Sequence, residues 1–180
     1  MKLLRIVVMG VSGCGKSTVG RILADNLGLD YLEGDDLHPP ENVARMAAGV
    51  SLTDADRQGW LQALAQRLTD ARAQGRGLVL SCSALKRSYR DILRAGAADV
   101  HFVHLHGARE LLAARMAARP GHYMPPSLLD SQLATLELPG ADEQALSFDI
   151  AQAPEDIARA ALAALDSRLR GNDKSMETPS

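Results

Sequence analysis

Aromatic residues are scarce in this chain. Phe, Trp and Tyr make up 3% of its 180 residues, with a single Trp. A core must therefore be assembled from Leu, Val, Ile and Ala, and few rings are available to stack two nucleobases. Cysteine is also sparse: Cys14 and Cys82 are the two present. They match no zinc spacing and build no disulfide framework, which fits a reducing cytoplasm. Neither sign of charge dominates. The formal net charge is −2, which excludes the strong basic surplus that nonspecific nucleic-acid binding requires. No apolar run approaches the roughly 18 residues of a bilayer span. The opening MKLLRIVVMG is short, is interrupted by Arg5 and has no small-residue cleavage site, so it reads as a buried first strand rather than a leader.

What remains is an ordinary globular composition, 46% hydrophobic and 23% charged, of a length that suits one domain, here placed at 1–170. Apolar runs bounded by turn residues recur at 3–9, 29–32, 78–80, 100–105 and 146–150. Short unbroken runs of this kind suit strands buried on both faces of a parallel sheet. Helical periodicity lies between them. Val19, Ile22, Leu23 and Leu27 share one face of a helix over 17–27, and Trp60, Leu61, Leu64 and Leu68 share one face of a helix that opens near Thr53. Thr53 and Asp56 have the spacing of a capping box. Further helices are predicted over 89–94, 110–118, 128–136 and 155–169. Alternating strands and helices predict an α/β fold in three layers, with helices on both faces of a parallel sheet. Pro120-Gly121 and Pro125-Pro126 bracket a short segment within 119–127, a candidate lid. The polar, aperiodic 171–180 is expected to be a disordered tail.

The residues Gly10-Val11-Ser12-Gly13-Cys14-Gly15-Lys16-Ser17 match G-x-x-x-x-G-K-[ST] in full, after an apolar strand and before an amphipathic helix. At average composition, four specified positions recur by chance in roughly one in a hundred chains of this length. The glycines let the loop wrap phosphates with its N–H groups pointing inward, and the helix N-terminus adds positive charge. Lys16 is expected to reach the β- and γ-phosphates of ATP, and the Ser17 hydroxyl to ligate Mg²⁺. Together with Thr18 and Arg115, this loop forms the candidate nucleotide-binding set. Residues 152–154, after the last strand, are the expected neighbours of the adenine.

Other residues decide what kind of phosphate-loop protein this is. The third strand ends in Ser81-Cys82-Ser83 with no carboxylate, and no Asn-Lys-x-Asp run is present to read guanine. The acids cluster after the second strand, at Glu33-Gly34-Asp35-Asp36. Ligands of open α/β sheets bind beyond the carboxyl ends of the strands, where a carboxylate can take the proton of an acceptor hydroxyl. If strand geometry persists, Glu33 and Asp35 share a face. Asp35 is then the candidate base, Glu33 supports Mg²⁺ through water, and Asp36 caps a helix beginning near Pro39. Lys86, Arg87 and Arg90 follow the third strand, with Lys86 and Arg90 spaced for one helical face. Arg115 and Arg119 repeat that spacing before Pro120-Gly121. These groups suggest an anion clamp for a carboxylate-bearing substrate and a closing lid.

The chain resembles the gluconokinase family. The resemblance rests on the phosphate loop, then Gly34-Asp35-Asp36-Leu37-His38-Pro39, then Asn42, Met46, Asp54, Asp56-Arg57 and Trp60-Leu61. It continues through Cys82-Ser83-Ala84-Leu85-Lys86 with Tyr89-Arg90-Asp91, then Arg119 with Gly121-His122, Gln132, Leu136-Glu137 and Pro139-Gly140-Ala141-Asp142. It implies a five-stranded phosphate-loop kinase fold with a small lid. It also implies transfer of the γ-phosphoryl of ATP, with Mg²⁺, to D-gluconate, giving 6-phospho-D-gluconate in carbohydrate acid catabolism, by a cytoplasmic homodimer. By the same resemblance, Asp35 is the base, His38, Arg57, Lys86 and Arg90 hold gluconate, and Arg119 is the lid arginine. Trp60 is assigned to the core. The chain departs from the family pattern at Val50-Ser51, Gln58-Gly59, Pro120 and Cys14. The alternatives are a kinase for shikimate or a nucleoside monophosphate, or a regulatory nucleotide-binding module without catalysis. The Gly34-Asp35-Asp36-Leu37-His38-Pro39 string and the scarcity of aromatics weigh against the other kinases, and the presence of Asp35, Lys86 and Arg119 weighs against the module.

Overall fold

The computed structural model describes residues 4–120 and 125–175. Five strands, β1 (Arg5–Met9), β2 (Asp30–Glu33), β3 (Leu78–Ser81), β4 (Val100–His106) and β5 (Leu146–Asp149), form one parallel sheet in the order β2-β3-β1-β4-β5. Every residue of β1 and β3 is buried. Strands at the centre of a parallel sheet have no solvent face, which is why their sequence reads as a near-continuous apolar run. Arg5 is tolerated at the start of β1 because its guanidinium pairs with Asp99 and donates to the Arg76 carbonyl at 3.0 Å.

The helices are α1 (Lys16–Leu27), α2 (Pro40–Ala47), α3 (Asp54–Ala73), α4 (Arg87–Gly96), α5 (Arg109–Ala117), α6 (Pro126–Thr135) and α7 (Pro154–Ser175). α1 packs with α7 and α3 packs with α4, so the sheet is sandwiched as the alternating pattern predicts. Thr53 and Asp56 form the expected capping box: the Asp56 N–H donates to Thr53 Oγ1 at 3.1 Å, and the Thr53 N–H donates to Asp56 Oδ2 at 2.8 Å. Such a cap is worth about 1 kcal/mol, and it fixes where the long α3 begins.

Two expectations change. Asp36 does not cap α2, which starts after Pro39 with no side-chain cap, because Gly34–Leu37 winds into a 3₁₀ turn that carries Asp36 away from the helix start. α7 runs to Ser175, past Gly171, where the irregular tail was expected to begin. A lone glycine costs a helix about 1 kcal/mol, too little to end one anchored upstream by buried Ile157, Ala161 and Leu165. Of the tail, 176–180 lie outside the described residues, as do 121–124 of the candidate lid.

Candidate active site

β1 feeds directly into Gly10, whose φ is +146° and where a Cβ would lie 2.5 Å from the Leu105 carbonyl oxygen on β4. Only glycine lets the loop leave the sheet this close to its neighbour. α1 begins at Lys16, so the loop ends on a helix N-terminus. Lys16 folds over the loop, with Nζ donating to the Val11 carbonyl at 3.2 Å. Cys14 is buried beneath the loop, while Ser12, Gly13, Gly15 and Ser17 are part-exposed and Thr18 is exposed.

The carboxylate missing from the end of β3 is supplied by β2. Parallel pairing sets Glu33 beside Ser81. Glu33 accepts hydrogen bonds from the Ser17 hydroxyl and, at 2.5 Å, from the Ser81 hydroxyl. The Tyr31 hydroxyl lies 2.8 Å from the same carboxylate. Burial pushes the Glu33 carboxyl up, but the three hydroxyls outweigh it and hold the group below its ordinary value. An ionised carboxylate thus sits against the Ser17 hydroxyl. Oxygen donors of this type suit a hard cation. Among the described residues no group of three or more His, Cys, Asp or Glu could hold a metal. Mg²⁺ takes one or two protein oxygens and completes its shell with phosphate and water.

Beyond Glu33 the chain does not continue as a strand. The 3₁₀ turn removes the alternation on which a shared face for Glu33 and Asp35 was premised. Glu33 points back to the phosphate loop, whereas Asp35 and Asp36 are exposed. Gly34 passes so close to β3 that a Cβ would lie 2.0 Å from the Ser81 carbonyl oxygen. Trp60, assigned to the core, also anchors this turn. Its Nε1 donates to the Gly34 carbonyl at 2.8 Å, and its ring stacks on His38 at 4.0 Å. Burial, helped by Arg57 and opposed by Asp35, lowers the pKa of His38, which leaves a neutral imidazole.

Arg57 and Lys86 belong to one connected group. Arg57 Nη1 donates to the Leu52 carbonyl at 2.7 Å and to the Tyr89 hydroxyl at 3.2 Å. Tyr89 donates to Asp54, and Lys86 Nζ reaches the same carboxylate at 3.0 Å. The bond to Asp54 raises the pKa of Lys86. Arg90 is different. Its side chain is 0% exposed and forks onto Glu143 at 2.6 and 2.8 Å, while Nη1 donates to the carbonyls of Ala84 and Leu85. With these donors engaged inside the protein, Arg90 cannot grip a substrate, which corrects its expected role. The helical spacing was real, but Lys86 is the residue before α4 and Arg90 faces the core.

On the nucleotide side, Arg115 Nη2 donates to the Ile150 carbonyl at 2.6 Å, which joins it to the turn leading into residues 152–154, the expected adenine neighbours. Arg119 lies beyond the end of α5 and is exposed, so it does not share a helical face with Arg115. His122 lies outside the described residues. Three successive residues of α6 each bind a different element. Asp130 pairs with Arg109 of α5 at 2.6 Å, the Ser131 hydroxyl meets that of Ser51 at 2.7 Å, and Gln132 Oε1 accepts the Ser12 N–H of the phosphate loop at 2.8 Å. Sequence reasoning assigned no role to Tyr31, Ser81, Gln132 or Glu143. Ser81, Gln132 and Glu143 each act on a residue far away in sequence, whereas Tyr31 acts on Glu33 within its own strand, and only the pairing of β2 with β3 could have pointed to Ser81.

The AAA domain family matches residues 6–139. The gluconokinase of Gluconobacter oxydans is 51% identical over 152 residues, covering 84% of this chain and 85% of that one. The thermosensitive gluconokinase of Escherichia coli is 43% identical over 173 residues, covering 91% and 90%. The crystal structure of a gluconokinase from Sinorhizobium meliloti superposes with a TM-score of 0.87 at 48% identity, covering 98% of this chain and 99% of that one. A shikimate kinase from Acinetobacter baumannii shares the fold alone, with a TM-score of 0.62 at 22% identity.

Proposed function

The chain belongs to the gluconokinase family, and on that premise we infer that it is an ATP-dependent gluconokinase that converts D-gluconate to 6-phospho-D-gluconate. The observation that carries the reading is the junction of Glu33 with Ser17, which joins the phosphate loop to the acid-bearing turn. Nucleotide and acceptor therefore meet at the carboxyl ends of β1, β2 and β3, where one phosphoryl group can pass between them.

Asp35 is assigned as the base that orients the 6-hydroxyl of gluconate and takes its proton. As the acceptor oxygen bonds to the γ-phosphorus, the bond from that phosphorus to the β–γ bridging oxygen breaks and ADP leaves. Lys16 and the loop amides stabilise the charge on the transferring group, and Arg119 adds a second cation from the other side. Ser17, with Glu33 behind it, would hold Mg²⁺, which would supply charge neutralisation for the phosphates. His38, Arg57 and Lys86 are assigned to the polyol and carboxylate of gluconate. The neutral imidazole suits hydroxyls, and the two cations suit the carboxylate. Arg115 is assigned to the nucleotide. A cytoplasmic homodimer belongs to the same reading.

ADP release against a panel of sugar acids, shikimate and nucleoside monophosphates tests the assignment. Turnover should depend on gluconate. Turnover with shikimate or a nucleotide in its place would move the enzyme to another acceptor class, and no turnover with any of them would make it a binding module.

A further inference from the structure

The segment between β3 and α4 links the two halves of the site. At one end the Ser83 carbonyl accepts the Gly10 N–H of the phosphate loop at 3.2 Å. At the other, Lys86 reaches across to Asp54 of α3. Between them stands Ala84, fully buried at φ +46°. This is the left-handed region, which disfavours any residue with a Cβ and which persists only where the surroundings enforce it. The enforcing contacts are visible. Arg90 Nη1 donates to the Ala84 carbonyl at 3.0 Å and to the Leu85 carbonyl at 3.3 Å. The Leu85 carbonyl also receives the Glu137 N–H at 2.8 Å, and the Glu137 carboxylate accepts the Arg87 N–H at 2.8 Å.

Arg90 is itself held. Glu143 takes both Nε and Nη2 of its guanidinium, accepts a further bond from Arg94 at 2.8 Å, and is fixed by the Gly140 N–H at 3.1 Å. The hydrogen bonds from Arg90 lead these in holding the Glu143 carboxyl down at about 2. A bidentate, desolvated Arg–carboxylate pair is directional, so the two carbonyls of the loop are gripped at a set angle as well as a set distance.

We propose that Arg90 and Glu143 are positioning residues for the acceptor: they hold Ala84 in its left-handed conformation and thereby set where Lys86 stands relative to the phosphate loop. The proposal rests on the reading of Lys86 as a gluconate ligand. It accounts for a buried cation beside the site whose donors are engaged by Glu143 and by the carbonyls of Ala84 and Leu85. It also accounts for an L-residue in a glycine conformation at the base of the loop.

The experiment compares KM for gluconate and for ATP in Lys86→Ala, Glu143→Gln, Ala84→Gly and the double variant Glu143→Gln/Ala84→Gly, with thermal melts of each. Lys86→Ala tests the underlying reading and should raise the gluconate KM by about tenfold to a hundredfold, as losing a charge-assisted contact does. Glu143→Gln should raise the gluconate KM about tenfold and the ATP KM less than about twofold, because one charged partner of Arg90 is lost while the phosphate loop keeps its own contacts. Adding Ala84→Gly should bring the gluconate KM back to within about threefold of the parent without restoring the melting temperature, since glycine adopts this φ unaided. If Glu143→Gln does not fold, Arg90→Lys, which keeps the charge and loses the fork, carries the same expected split. A shift in the gluconate KM for Lys86→Ala but not for the pair variants would overturn the positioning role alone. Equal shifts in both KM values, or no rescue by glycine, would overturn it as well. An unchanged gluconate KM in Lys86→Ala would remove the reading beneath it.

Discussion

The nucleotide side of this site and its acceptor side are built differently. The phosphate loop is made of backbone: glycines that permit close approach and one helix N-terminus. Its requirements are local, and they fit within eight consecutive residues. The acceptor side is made of side chains borrowed from separate elements. Trp60 from α3 holds Gly34, Arg57 from α3 meets Tyr89 from α4, and Lys86 meets Asp54. A backbone cradle tolerates many side chains, as buried Cys14 in the loop illustrates, whereas a side-chain network fails when any one partner is lost. The comparison teaches that affinity for nucleotide and choice of acceptor can change independently in this fold.

The sharpest way to break that separation is at Asp35. Asp35→Asn keeps size and hydrogen-bonding reach but cannot take a proton, so kcat should fall by roughly 10²–10⁴ while ATP binding stays intact. Asp36→Asn, at an exposed position that caps no helix, should stay within about twofold of the parent, as surface changes usually do. Turnover of the two variants at saturating substrates is the measurement. A dead Asp36→Asn beside an active Asp35→Asn would reassign the base.

Lys16→Met is the matching test on the nucleotide side. Loss of a fixed cation between the β- and γ-phosphates should cost about two to three orders of magnitude in rate. Equilibrium binding of gluconate should be unaffected, because among the described residues the Lys16 ammonium hydrogen-bonds within the loop. A comparable loss of gluconate binding would show that the two halves are not separable.

The smallest expected effect concerns the sheet that both halves share. His104 is buried on β4, and its Nε2 has no hydrogen-bond partner among the described residues. Burial, with the charges of His106 and Arg90, pushes its pKa down to about 4 from an ordinary 6.5. The unfolded chain therefore takes up a proton that the native state refuses, and stability falls as pH drops from 6.5 towards 4. At pH 5 the loss should be on the order of 1–2 kcal/mol. Glu143, held at about 2 against an ordinary 4.5, extends the loss below pH 4.5. Denaturant melts of the parent and of His104→Leu at pH 7 and pH 5 should show a shallower pH dependence in the variant. Equal slopes would remove His104 as the cause.

The same contrast explains what could be read from sequence. The five strands, the Thr53 capping box and the phosphate loop were legible because each follows from neighbours in the chain: apolar continuity, a three-residue spacing, a glycine pattern. Lys86 and Arg90 show where that ends. Their spacing marks one helical face, but it cannot tell that Lys86 precedes the helix or that Glu143, brought in by the turn before β5, claims the arginine. Glu33 is a second case. Reading strand alternation past it joined it to Asp35, yet Gly34 and the 3₁₀ turn separate the two, and the β2–β3 register gives Glu33 to Ser17 and Ser81. Side chains that act over long sequence separations are specified by sheet order, which no single segment carries.

Helix α6 carries one further consequence. Successive residues of an α-helix are turned by about 100° around its axis, so Asp130, Ser131 and Gln132 face three directions, and each is fastened to a different element. A helix fastened in this way resembles a keyed shaft: it can be pushed along its length or tipped at an end, but it cannot roll without releasing a key. Torque applied to α6 at Arg109 or at Ser51 is therefore delivered, through Gln132, to the Ser12 amide at the rim of the phosphate loop.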